Sequence, residues 1–357
     1  MSTLKVSKIE PVTTGGDCIV NATNIVGNKN LVINGAMQVA QRGTSSTSSG
    51  FYTLDRFQLL FSGHNEALTQ AQHALTSSDT GPWEKGFRSS WHIQNGNQTS
   101  GAGATDYIQC EHRLEAQDVA NSGWDYTSSS SYITLSFWIK SSVAQAFPFT
   151  LNTSDGTTYR LSFDTGNLSA NTWTKVTQKI AGNANLTFNN DTGVGLYIYF
   201  WPYMGTTWTG SMTENTWIAT SGNSIHCNNI TSTWWTTNDA TLEVTGLQLE
   251  VGDTATDYEH RSYGDELARS QRYYQGFTAE FREDDSSDGS IFFGTLGLPV
   301  KMRSAPTITS SYASSYNVNT GASLEDSHID SQAICFGHRS SGAGTRARRT
   351  IGLSSEL

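Results

Sequence analysis

Alternation of apolar and polar residues with a period of two dominates the middle of the chain. In the segment YITLSFWIK, residues 132–140, one face carries only apolar side chains: Ile133, Leu135, Phe137 and Ile139. This is the pattern of a half-buried β-strand. Further segments have strand character, at 158–163, 173–180, 193–200 and 241–251. The last of them loses its phase at Gly246, which predicts a β-bulge.

Clusters of Gly, Asn and Ser separate these segments. Many short strands divided by turn residues are typical of β-sandwiches and jelly rolls. The sequence therefore predicts an all-β protein in which residues 31–262 form one antiparallel, jelly-roll-type β-sandwich.

One helix is predicted directly after the sandwich, from Tyr263 to Tyr274. Asp265 lies in its first turn, where negative charge suits the helix dipole. Gly276 is the expected C-cap. The face that carries Leu267 and Tyr274 is predicted to dock on the sandwich.

These patterns divide the chain into three parts. Residues 1–30 are too few and too polar to bury a core, so we interpret them as an N-terminal attachment segment. Residues 31–262 are the sandwich. Residues 263–357 are predicted to form the helix, an acidic exposed turn at 282–290 and a small C-terminal β region.

Composition excludes several classes of function. The chain has 357 residues, a net charge of −10 and only 15% charged residues. Nucleic acid is therefore not an expected partner, because phosphate binding needs clustered cations. The one basic cluster is interpreted as a solvated tail: Arg346, Arg348 and Arg349. The longest apolar run, at 194–203, is too short to span a bilayer, so no membrane insertion is expected.

Motifs for catalysis or for a cofactor are not found in the sequence. None of the 8 His residues lies in a zinc-binding motif, and the 4 Cys residues form no CxxC pair. No phosphate-binding loop, dinucleotide fingerprint or nucleophile elbow occurs. We therefore expect no enzyme activity, no catalytic residues, no metal and no cofactor.

Tryptophan is concentrated in the middle of the chain, where 8 of the 10 Trp residues lie between 124 and 235. The part from 201 to 235 is rich in Thr, Asn and Gly and lacks clean strand alternation. Aromatic rings among hydroxyl and amide groups suit sugar binding, because rings stack on the apolar faces of sugars. The candidate glycan-binding residues are Trp201, Tyr203, Trp208, Trp217, Trp234 and Trp235. The alternative is that these rings belong to the core or to a trimer interface.

Four stretches carry a resemblance to a known family. They are MSTLKVSKIEP at the start, NLVINGAMQVAQRGT with YTLDRF at 30–57, LQLEVGDTATDYEHRSYGDELARSQRYYQ at 247–275, and LPVKMRSAPTIT at 298–309. In order and spacing they resemble the jelly-roll, carbohydrate-binding-like domain of tail-fibre and other virion proteins of marine phages, with its leader and C-terminal extension.

The resemblance implies a virion protein of the tail-fibre or receptor-binding type, made in the host cytoplasm and attached to the particle by its N-terminus. Its expected partners are other virion proteins of the tail or capsid, itself as a homotrimer, and a host surface polysaccharide. Two alternatives stay open. One is a capsid or tail decoration protein without a ligand, and the other is a polysaccharide depolymerase.

Charged residues within these stretches are expected to hold the fold together. Asp55 and Arg56 precede Phe57, and we expect the pair to lock a strand edge through a charge-assisted hydrogen bond. Glu259 and Arg261 lead into the helix, and one or the other is expected to tie it to the sandwich.

Overall fold

The computed structural model describes residues 29–220, 225–282, 291–316, 325–329, 331–339 and 346–357. Its strands are β1 Ser45–Ser46, β2 Phe57–Ser62, β3 Thr69–Ala74, β4 Ser89–Gln94, β5 Tyr107–Glu115, β6 Tyr132–Ser141, β7 Pro148–Thr153, β8 Tyr159–Asp164, β9 Thr174–Ala181, β10 Val194–Met204, β11 Ile218–Ala219, β12 Thr241–Val251, β13 Tyr274–Arg282, β14 Ile291–Gly297, β15 Thr307–Tyr316, β16 Glu325–Ile329, β17 Ala333–Arg339 and β18 Arg346–Ser354. The α-helices are α1 Ala116–Ala120, α2 Thr233–Thr236 and α3 Tyr263–Gln271.

Two six-stranded sheets form a jelly-roll-type β-sandwich. The first sheet has the order β1-β3-β4-β12-β6-β9, and the second has the order β11-β8-β7-β10-β5-β2. Neighbouring strands are antiparallel throughout both sheets. The predicted fold class is therefore confirmed.

The core lies between the two sheets. The four apolar residues of the YITLSFWIK face are all buried in β6, as the alternation predicts. Across the sandwich, the ring of Phe137 stacks on Phe149 of β7 with centroids 4.3 Å apart. Phe57 and Trp91 make a second contact between the sheets at 5.3 Å.

The predicted bulge lies in β12. Its pairing with β6 shifts register between Thr245 and Gln248, and Gly246 has a φ of 65°. A Cβ atom at Gly246 would lie 2.6 Å from the ring of Phe87. Glycine is thus required here both by the backbone and by the close approach of a core ring.

Helix α3 begins where predicted and ends earlier. The Ser262 hydroxyl caps it by accepting a hydrogen bond from the Asp265 N–H at 3.2 Å. The helix stops at Gln271, and the predicted helical end and C-cap instead belong to β13, which pairs with β18. The predicted end at Tyr274 and the cap at Gly276 are therefore wrong. The residues from Tyr274 onward form backbone hydrogen bonds with β18, which is distant in sequence, instead of continuing the helix.

The docking face of α3 also differs from the prediction. The buried helix residues are Glu266 and Ser270, whereas Leu267 is only partly buried. Glu266 accepts a hydrogen bond from the Asn34 N–H. Arg261 lies 3.6 Å from Glu266 and donates to the Val32 carbonyl at 3.2 Å. Polar contacts thus hold the helix on the sandwich, as expected for Arg261.

The C-terminal β region consists of two three-stranded sheets, β13-β18-β15 and β14-β17-β16. The basic cluster Arg346, Arg348 and Arg349 is not a tail as predicted, because all three residues lie in β18, the central strand of its sheet. Ile351 and Leu353 of the same strand are fully buried and anchor it.

Buried ion pairs join this region to the sandwich. Arg272 donates two hydrogen bonds of 2.9 Å to the carboxylate of Glu115, which is fully buried. Arg56 pairs with Glu356. Asp55 accepts from the Gln41 N–H at 3.0 Å, and Arg56 donates to the Arg113 carbonyl of β5 at 2.6 Å, so the two residues hold the start of β2 through separate partners rather than through a bond to each other.

Some predictions fall outside the described residues. These are nearly all of the attachment segment and the acidic turn from 283 to 290. The division of the chain at 30 and at 262 stays a prediction. None of the helices in the described ranges combines the length and the apolarity needed to cross a membrane.

Candidate functional site

Strand β10 carries a row of aromatic side chains on the outer face of the second sheet. Successive residues of a strand point to opposite faces. Three residues enter the core: Leu196, Ile198 and Phe200. The alternate residues Tyr197, Tyr199 and Trp201 point to the outer face, and neighbouring rings are 5.3 Å apart in both steps. Tyr199 and Trp201 are nevertheless buried, because a covering segment around His226 and Cys227 packs on them. The first two rings are stacked with an interplanar angle of 10°. We call these three residues the aromatic ladder.

Polar groups flank the ladder on both sides because of strand register. On the β5 side, Tyr197 lies opposite Arg113 and Tyr199 lies opposite Glu111. On the β7 side, their partners are Asn152 and Thr150. The Arg113 guanidinium lies 5.5 Å from the centre of the Tyr197 ring.

Glu111 and Arg113 form an ion pair beside the ladder, and Thr150 holds one of the ladder rings by a hydrogen bond. Burial raises the pKa of Glu111 above its ordinary value, although Arg113 opposes this effect. The Arg113–Glu111 ion pair therefore lies at the edge of a largely apolar face. Thr150 accepts a hydrogen bond of 3.1 Å from the indole N–H of Trp201, which holds that ring in place.

A pocket of about 270 Å³ lies at the Trp201 end of the ladder. Its lining combines three aromatic rings with an amide, a thioether and an imidazole: Tyr107, Gln109, Trp201, Met204, Trp208 and His226. Trp208 is half-buried and donates its indole N–H to the Thr105 carbonyl at 3.3 Å. The pocket therefore offers exposed ring surface beside neutral hydrogen-bonding groups.

The imidazole of His226 is neutral at pH 7. Burial, with a smaller contribution from the nearby Arg160 guanidinium, lowers the pKa of His226 to about 3. Its ring lies 5.1 Å from Trp201 and 6.4 Å from Trp208, centre to centre. Its carbonyl accepts a hydrogen bond of 3.2 Å from Thr150, which fixes the covering segment on the sheet.

The structure brings together only two of the six residues predicted from the sequence. Trp201 and Trp208 line the pocket, and Trp208 is the one ring of the six that solvent reaches substantially. The other five rings are buried, including Trp201: Trp201, Tyr203, Trp217, Trp234 and Trp235. Of the six candidates, Trp208 is therefore the one with a partly exposed ring. As a binding site the set stays a prediction.

Sequence reasoning missed most of the site. In the run LYIYFW, residues 197, 199 and 201 alternate with the core residues, but both sets are aromatic or aliphatic. Without a polar face, the sequence does not show which of the two sets points outward. Gln109 and His226 could not have been found, because only the β5–β10 pairing and the covering segment place them beside Trp201.

Half-buried Trp rings also occur on the outer face of the first sheet, and charged groups contact two of them, Trp83 and Trp173. Trp173 donates its indole N–H to Asp79 at 3.0 Å and has the Lys140 ammonium 4.8 Å from its ring centre. The Arg88 guanidinium lies 3.7 Å from the centre of the Trp83 ring. Trp208 is therefore a stronger candidate for ring stacking than Trp83 or Trp173.

Comparison with known proteins finds structural likeness at low sequence identity. No protein-family model matches the chain, so no family match supports the resemblance to marine-phage tail-fibre proteins. No curated protein sequence matches it either.

Three solved structures illustrate the likeness. The enzymatically active domain of tailspike protein 4 of bacteriophage CBA120 has a TM-score of 0.33 and 10% identity, and the match covers 63% of this chain and 22% of that one. A putative sugar binding protein from Bacteroides thetaiotaomicron has a TM-score of 0.30 and 11% identity, with 62% and 100% covered. The N-terminal cellulose-binding domain of Cellulomonas fimi β-1,4-glucanase C has a TM-score of 0.28 and 10% identity, with 61% and 99% covered. Scores this low carry no statement about ligand or role.

Proposed function

We propose that this chain is a phage virion protein of the tail-fibre or receptor-binding type, and that it binds a host surface polysaccharide without cleaving it. In this proposal the ligand enters the pocket beside Trp208, whereas Tyr199 and Trp201 of the aromatic ladder are buried and offer it no open stacking surface. The proposed location is the particle surface, with attachment through the N-terminal segment and assembly as a homotrimer.

The observation that carries the glycan part is the combination of ring surface and neutral polar groups in one pocket. Trp208 exposes part of its ring, Gln109 offers an amide, and the neutral His226 offers an imidazole. Sugar recognition needs an apolar platform for the ring face and hydrogen-bonding groups for the hydroxyls. Arg113 and Asn152 extend the polar edge beyond the pocket along the ladder.

The proposal includes a homotrimer because a single stacking contact is too weak for useful binding. One aromatic contact contributes only about 0.5–1.5 kcal/mol. Three sites on one trimer, facing a polymer with repeating units, would act together and raise the apparent affinity by avidity. Analytical ultracentrifugation of the full chain tests this point, and a monomer at micromolar concentration would contradict it.

Trp208→Ala is the direct test of the site. Binding of the full chain to a panel of purified bacterial surface polysaccharides is measured by calorimetry. For any polysaccharide that binds, we expect the variant to lose about two- to tenfold in affinity, which corresponds to about 0.5–1.5 kcal/mol.

Trp173→Ala is the matched control, because Trp173 is also half-buried and also donates its N–H to one acceptor, on the other sheet. It is expected to bind like the wild type. Equal binding by the Trp208 and Trp173 variants would overturn the site. Release of reducing ends from a bound polysaccharide would overturn the non-enzymatic part, and cryo-electron microscopy of the phage particle tests the location.

A further inference from the structure

Two histidines and a glutamate come together on the outer face of the first sheet, away from the aromatic ladder. His73 lies on β3, His92 on β4 and Glu243 on β12, which are three neighbouring strands. His92 is directly opposite Glu243 in the β4–β12 register. One potential ligand atom from each residue lies within 4.8 Å of the other two.

We propose that these three side chains bind a zinc-type divalent transition-metal ion. Two imidazole nitrogens and one carboxylate oxygen are a ligand set that zinc uses, with water in the fourth position. At metal–ligand distances of about 2.0–2.1 Å, ligand atoms of a tetrahedral ion lie about 3.3 Å apart. The two imidazoles lie near opposite oxygens of the carboxylate, with His73 Nδ1 3.1 Å from Glu243 Oε2 and His92 Nδ1 3.8 Å from Glu243 Oε1, so a small rotation of the carboxylate or of one ring would bring one oxygen to this distance from both nitrogens.

Side-chain exposure increases from Glu243 through His92 to His73, as an open metal site requires. The exposed fraction of the side chain is 5% for Glu243, 18% for His92 and 53% for His73. The carboxylate is therefore held inside, while the outer imidazole faces solvent. An ion can enter from the His73 side, and water can complete its coordination.

Groups around Glu243 orient its carboxylate. The Ser90 hydroxyl donates to Glu243 Oε2 at 2.6 Å. Lys140 Nζ lies 2.9 Å from Glu243 Oε1 and 3.0 Å from Asp79 Oδ1. Hydrogen bonds of this kind fix the geometry of a metal ligand.

Lys140 is expected to weaken ion binding, because its ammonium group places a positive charge beside the proposed site. Replacing it by Gln keeps a hydrogen-bond donor near Glu243 and removes the charge. The Lys140→Gln variant is therefore expected to bind the ion about two- to tenfold more tightly, which corresponds to about 0.4–1.4 kcal/mol.

Sequence reasoning predicted no metal, because zinc motifs are recognised by short spacings. Here 170 positions separate His73 from Glu243. Only the order β3-β4-β12 makes them neighbours. This site is independent of glycan binding and can be tested without any polysaccharide.

The test uses the full chain without a polyhistidine tag, stripped with a chelator and titrated with zinc chloride by calorimetry. We expect one ion per chain. His73→Ala and His92→Ala should each weaken binding by about 100-fold or more, since even the loss of an outer-shell partner costs about 10–100-fold. His73 is largely exposed, so its variant is expected to fold normally, and the melting point of the metal-free variant verifies this.

His64→Ala is the matched control, because His64 is partly buried and lies outside the cluster. It should bind zinc like the wild type. Cobalt in place of zinc gives a second readout, through visible absorption bands that the His73 and His92 variants should lose. Absence of binding at about 1 mM zinc, where ΔG is only about −4 kcal/mol, would overturn the proposal. So would binding that both histidine variants leave unchanged.

Discussion

Replacing Trp234 by Ala tests whether this ring of the Trp-rich segment belongs to the core, in contrast to the partly exposed ring of Trp208. Trp234 lies in the single-turn helix α2 and is fully buried. Its indole N–H donates to the Thr241 carbonyl at 3.2 Å. Its backbone N–H donates to Gln145 Oε1 at 3.1 Å, and this second bond is independent of the side chain.

The expected cost follows from these contacts. Truncating a buried Trp to Ala typically lowers the free energy of unfolding by about 3–5 kcal/mol. The lost indole hydrogen bond adds little, because the Thr241 carbonyl keeps a second donor, the Ser142 N–H at 3.0 Å. We therefore expect a loss of about 3–5 kcal/mol for Trp234→Ala, a large part of the total stability of about 5–15 kcal/mol that a domain usually has.

Urea unfolding of the full chain, followed by far-ultraviolet circular dichroism, measures this loss from the shift in midpoint. Trp208→Ala is the comparison, because Trp208 is half-buried at the edge of the pocket. It should cost about 1 kcal/mol or less, in the range of surface substitutions. A cost below about 1 kcal/mol for Trp234→Ala would refute its assignment to the core. A cost above about 3 kcal/mol for Trp208→Ala would make that ring a core residue and remove it as a ligand contact.

Two further substitutions test the electrostatics and the helix. Burial raises the pKa of Asp55 from 3.8 to about 6, against the opposing effects of Gln41 and Arg42. The folded protein therefore binds this proton more tightly than the unfolded chain, and its stability should fall by up to about 3 kcal/mol as pH rises from about 4 to above 6. In Asp55→Asn this contribution should disappear from the pH dependence of the unfolding free energy, and an unchanged pH profile would contradict it. Leu267→Ala should cost about 1 kcal/mol in the same assay, rather than the 2–5 kcal/mol of a core Leu, because Leu267 is only partly buried. A loss above about 2 kcal/mol would place Leu267 in the core.

The local pattern of apolar and polar residues was sufficient to predict several strands of the sandwich and the bulge in one of them. The burial of alternate residues in β6 follows from the geometry of an extended chain, which needs no knowledge of the neighbouring strand. The bulge at Gly246 and the capped start of α3 at Ser262 are likewise encoded within a few residues. The sequence therefore determined the sandwich, five of its twelve strands and the first turn of the helix.

Long-range pairing decided the rest. The helix ends at Gln271 because β18, about 80 positions further on, pairs with the residues that follow. Trp208 stays partly exposed while Trp234 is enclosed, although both lie in stretches of similar composition. His73, His92 and Glu243 become neighbours through strand order alone. The physical reason is the same in each case: local sequence sets which face of a strand is apolar, whereas burial, charge pairing and ligand geometry depend on residues that only the folded chain brings within a few ångströms.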